Sequence, residues 1–79
     1  MPNYRVRVEG PAALTLRVAT ALADADGVDL TSSEQPVAAA EGIVALSVVV
    51  EGTFDDVADA VAALRSDLPP EASIDLTVA

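Results

Sequence analysis

Hydrophobic residues in this chain recur at every second position, then every third or fourth, then every second again, and that succession runs twice within 79 residues. A spacing of two marks a strand with one buried face, and a spacing of three and four marks a helix with one apolar stripe. The chain therefore reads as strand, helix, strand, followed by strand, helix, strand. Seventy-nine residues leave no room for a second core, so a single domain over 1–79 is expected.

Tyr4, Val6 and Val8 alternate with Arg5 and Arg7 as the first strand. Gly10-Pro11 turns the chain into a helix over Ala12 to Ala25, with Pro11 suited to the first helical position. Its stripe is Leu14, Val18, Leu22 and Ala25, joined by Ala21, and Thr15, Arg17 and Asp24 lie off it. Gly27 supplies a left-handed stop. Val28 to Ser33 resumes as a strand with Val28 and Leu30 inward. Glu34 to Ala40 contains Pro36 and lacks a pattern, which makes it an edge, a bulge or a loop.

Glu41-Gly42 turns into Ile43 to Glu51, apolar on both faces as a central strand is. Thr53 and Asp56 form a start resembling a capping box. Phe54, Val57, Val61, Leu64 and Leu68 make the second helical stripe, which Pro69-Pro70 ends. Ile74, Leu76 and Val78 close the chain as a strand.

Right-handed crossovers in both units allow one natural arrangement. It is an α+β, ferredoxin-like βαββαβ sandwich: a four-stranded antiparallel sheet in order 4-1-3-2 with two helices on one face. Arg5 and Arg7 then lie beside Asp75 on the uncovered face, where a cross-strand pair contributes only ~0.2–1 kcal/mol. Ile43, Ala45 and Val49 make that face partly apolar, and either they or the edge strand near Val37 would supply a contact. These residues are the expected contact of a homodimer or other homo-oligomer.

Thirteen acids face four arginines, and the net charge is −9. Such a surface repels phosphate backbones, so no nucleic-acid partner is expected. The outward positions of the central strands also carry no aromatic ring on which a base could stack. Two readings of the acidity stay open: a solvated surface that maintains solubility, or adaptation to high salt, since the lysine-free, Asp-rich, Ala/Val-rich composition is similar to that of halophilic proteins.

With no His, Cys or Lys, a Ser or Thr nucleophile has no evident base. Asp24-Asp26 and Asp55-Asp56 sit at helix ends that explain them, so no catalytic residues are assigned and the chain is expected not to be an enzyme. The Asp24-to-Asp29 segment resembles part of a calcium loop, but its third acidic slot is Val28, and its glycine comes two places early. No metal site and no cofactor are expected. No apolar run approaches the ~20 residues of a membrane span, and no basic segment precedes an apolar one at the amino end. A cytoplasmic, non-membrane protein is therefore expected.

Glu9-Gly10-Pro11-Ala12-Ala13-Leu14, followed by Leu22-Ala23-Asp24-Ala25-Asp26-Gly27-Val28-Asp29-Leu30, resembles the start of an ACT domain. That family reads acidic-x-Pro-Gly-x-Leu into its first helix and leaves it through Gly-(Val/Ile)-Asn-(Ile/Leu). The order of elements agrees across the chain. The resemblance implies a regulatory domain that binds an amino acid or similar small effector at a subunit interface. Its ligand would lie on Gly10, Pro11, Ala12 and Ala13, whose helical N–H groups can hold a carboxylate, and on Asp29. Ala12 stands where the family has glycine, which narrows the approach. Asp29 stands where it has asparagine, which suits an amino group and repels a carboxylate. The same residues also read as a tight helix entry and a surface strand position, in which case the chain is a protein-interaction or accessory module with no small ligand.

Overall fold

In the computed structural model, which describes residues 2–79, the first alternating stretch becomes β1 (Asn3–Gly10). Tyr4, Val6 and Val8 are buried, and Arg5 and Arg7 are exposed. Helix α1 (Ala12–Asp24) sends Val18 and Leu22 fully into the core, with Leu14 and Ala25 packed against it. Pro11 sits at the N-cap, one place earlier than expected. Two stripe positions also differ from expectation. Thr15 is fully buried, and its hydroxyl is satisfied there by donating to the Ala12 carbonyl at 2.8 Å. Ala21 is exposed, lining a groove between the helices.

After Gly27, Val28 is buried and β2 (Asp29–Ser33) begins. Leu30 points to the core face, opposite Val50, yet remains 40% exposed because β2 lies at the sheet's edge. Next come β3 (Val37–Ala40) and the long β4 (Ile43–Glu51). Val44, Leu46, Val48 and Val50 line the helix side of β4, where three are buried and Val44 is half-buried. Helix α2 (Phe54–Ser66) starts as expected: Thr53 Oγ1 accepts the Asp56 N–H at 3.2 Å, and Asp55 and Asp56 occupy the first turn. Val57 and Val61 are its buried residues. Phe54 is not among them. At 58% exposure it covers Tyr4 from outside, the rings 5.9 Å apart and tilted by 60°. The last strand is β5 (Ser73–Val78), and Arg65 of α2 donates to its Ile74 carbonyl at 3.0 Å.

All pairings are antiparallel, in the order β2-β4-β1-β5. This is the expected order of the four long elements, with β3 as a fifth strand paired to β4. β2 pairs along Val48 to Glu51 and β3 along Ile43 to Ala45, so the two form one interrupted edge. The Glu34 N–H donates to the Ser47 carbonyl at 2.9 Å and carries the ladder across the break before Pro36, which has no donor. Register shifts at Thr31 and Ala39 bulge this edge on both sides of the break. Both helices pack on the face bearing Val6, Val8, Leu46 and Val48, leaving the other face uncovered. The helix-to-strand turn at Gly27 and the strand-to-helix turn at Gly52 touch at one end of the sheet. A Cβ on Gly52 would run into the Gly27 carbonyl.

Candidate functional site

The uncovered face is built in rows by the register. Arg7 lies between Ser47 and Asp75, Arg5 between Val49 and Thr77, and Glu9 between Ala45 and Ser73. Two of the chain's four cations therefore lie two residues apart on one strand, in the middle of the sheet. Of the others, Arg65 is engaged with the Ile74 carbonyl, and Arg17 lines the groove between the helices. Arg7 Nη1 pairs with Glu9 Oε2 at 3.0 Å, along its own strand rather than across to Asp75. Arg5 Nη2 reaches Glu34 Oε1 at 3.9 Å, across β4 to the interrupted edge. Both pairs are roughly half-exposed, so each contributes about 0–1 kcal/mol. They orient the guanidinium groups more than they stabilise the fold.

Beside Arg7 the interrupted edge leaves a cavity of about 290 Å³. Arg7, Ser47, Glu34 and Gln35 supply its polar lining, and Val37, Ala38, Ala39 and Ala45 its apolar lining. The expected contact residues gather here and nearby. Val37 is 65% exposed directly opposite the nearly buried Ala45, and Ile43 and Val49 are half-buried on the same face. A second hollow of about 240 Å³ runs between the helices, lined by Leu14, Arg17, Val18, Ala21, Leu64 and Leu68.

The residues implied by the ACT resemblance do not come together within one chain. Gly10 is buried, its Cα face so near Ala72 that an added Cβ would lie 3.0 Å from the Ala72 Cβ. The Pro11 carbonyl accepts the Leu14 and Thr15 N–H groups at 3.0 and 3.1 Å, no side chain caps the helix, and Ala12 and Ala13 are exposed. Asp29 is exposed but pairs with Glu51, whereas Gly10 pairs with Val44, seven residues back along β4. At 3.3 Å per residue that is ~23 Å. Asp29 and the Gly10–Ala13 loop therefore stand at opposite ends of the sheet, and only a second copy could bring one to the other.

Glu34 and Gln35 lie in a segment whose letters carry no periodicity, and Pro36 is the signal there that an edge breaks.

Neither a protein-family model nor a curated protein matches the sequence. Solved structures do. The entire chain matches 88% of the C-terminal domain of the MgtC protein from Mycobacterium tuberculosis, with a TM-score of 0.76 and 15% sequence identity. The fold is ferredoxin-like. A second match covers 98% of the chain, with a TM-score of 0.56 and 12% identity, in the YxeP protein of Bacillus subtilis, a dinuclear metal binding peptidase of the M20 family. There the chain spans 26% of the peptidase. At such identities the likeness carries the fold alone. Among the described residues no helix is long and apolar enough to cross a membrane.

Proposed function

We propose that this chain is a non-catalytic, ACT-like regulatory domain that acts as a homo-oligomer and binds an amino acid or similar small metabolite where copies meet. One observation carries this reading: the sheet face away from the helices is bare, combines half-buried Ile43 and Val49 with two paired arginines, and opens into a cavity at its edge. A face of this kind offers apolar area for a partner and charged groups for a small polar ligand. The separation of Asp29 from the Gly10–Ala13 loop is consistent with a site shared between copies, since each copy would supply half of it. The domain needs no catalytic group and no cofactor for this role.

A second reading rests on the matches themselves. The fold recurs as the C-terminal domain of one protein and as about a quarter of another, which favours an accessory module that docks within a larger assembly. Nothing of the peptidase's metal binding is carried over to this chain. Among the described residues no three His, Cys, Asp or Glu side chains cluster as a metal site would require.

Thermal shift with a panel of free amino acids separates the two. The regulatory reading expects at least one of them to raise the melting temperature and to shift the oligomer equilibrium. Silence across the panel, with self-association intact, would favour the accessory module.

A further inference from the structure

We propose that the cavity beside the broken β2–β3 edge is a site for a small aliphatic α-amino acid, its carboxylate held by Arg7 and its ammonium by Glu34. The inference rests on the regulatory reading above and places the ligand on the opposite side of the sheet from the Gly10–Ala13 loop. Glu34, Ser47 and Arg7 stand in one row across adjacent strands: the Glu34 N–H binds the Ser47 carbonyl, and Ser47 is the register partner of Arg7. At ~4.8 Å between strands, the acid and the base are ~10 Å apart at the backbone. Their side chains therefore bracket a gap in which a molecule with an ammonium and a carboxylate on one carbon fits.

Arg7 spends Nη1 on Glu9. A guanidinium has five N–H donors, so most remain for a carboxylate. Glu34 holds Arg5 only at 3.9 Å, and its side chain is 61% exposed, so it can turn to an ammonium at little cost. Ser47 lies between them in the row and lines the cavity.

Selectivity follows from the remaining lining. Ala45, Val37, Ala38 and Ala39 are small and apolar and offer no second charge, which suits an alanine- or valine-sized side chain over an acidic or basic one. The overall charge of −9 opposes the approach of an acidic ligand from a distance as well. A free carboxylic acid without an ammonium group is repelled by the surface it must approach, whereas a zwitterion is not.

The test is an amide NMR and calorimetric titration of the full chain with L-alanine and L-valine, against N-acetyl-L-valine, which lacks the ammonium, and L-valinamide, which lacks the carboxylate. The expected result is that the free amino acids shift the amides of residues 37–39, Ala45 and Ser47. Each blocked analogue, and each of Glu34→Gln and Arg7→Gln, should weaken binding about tenfold or more. Both substituted side chains are surface groups, so the unliganded spectrum shows directly that the fold is kept. Shifts confined to Gly10–Ala13 and Asp29 would overturn this site and leave the regulatory reading standing. Blocked analogues binding as well as the free amino acids would overturn the two-charge recognition. Absence of any shift with either amino acid at millimolar concentration would overturn the site itself, and the wider panel by thermal shift then decides separately whether the domain binds any amino acid.

Discussion

Gly27 holds a backbone φ of 76°, and a Cβ placed on it would collide with the Asp56 carboxylate at the start of α2. Asp56 belongs to the capped first turn, so the start of α2 and the Gly27 turn between α1 and β2 pack against each other. Gly27→Ala should cost about 1–2 kcal/mol from the left-handed conformation alone. Gly52→Ala should cost more, because its methyl would meet the Gly27 carbonyl, which is backbone and cannot swing aside. Thr53→Ala, which removes only the cap, should cost ~1 kcal/mol. Urea unfolding of the three variants would rank them Gly52→Ala, Gly27→Ala, Thr53→Ala, and a neutral Gly52→Ala would contradict the close contact of the two turns. The sequence shows Gly27 and Thr53 in their roles directly. It hides the burial of Thr15, since a hydroxyl counts as polar in a periodic pattern until the carbonyl that satisfies it is known. It also hides the exposure of Phe54, since the spacing of a stripe does not say where the sheet beneath it ends.

Among the elements, those with a clear pattern are where it places them: β1 and β5 alternate, β4 is a run apolar on both faces, and α1 and α2 carry stripes. β3 had no such signature. Val37-Ala-Ala-Ala is exposed throughout and has no buried face to enforce alternation, so its pairing is decided by β4 and not by its own residues. The same reasoning predicts a graded stability within one sheet. β4 is paired on both sides and mostly buried, whereas β2 and β3 are exposed, bulged and interrupted. Hydrogen exchange should be slowest in residues 44–50 and orders of magnitude faster in residues 29–40. Uniform protection across both stretches would contradict the description of a broken edge.

For the molecule as a whole, charge and the bare face act against each other. Copies carrying −9 each repel, yet Ile43, Val49 and Val37 offer apolar area only when covered. At 1 M salt the screening length falls to ~3 Å, so both the fold and its self-association should strengthen with NaCl. A melting temperature unchanged between low and molar salt would argue against any adaptation of this acidic surface to high salt. The architecture was legible in the letters because burial imposes a period, and the proposed ligand site was not, because a site of that kind imposes none: Arg7, Ser47 and Glu34 fall in one row only through strand register. Under the proposed function the uncovered sheet face is the surface on which copies meet. Light scattering at high protein concentration in molar NaCl tests it most directly, with Val49→Glu beside the parent chain. An oligomer is expected for the parent and a folded monomer for Val49→Glu, and a parent chain that stays strictly monomeric would show that this face is no contact surface.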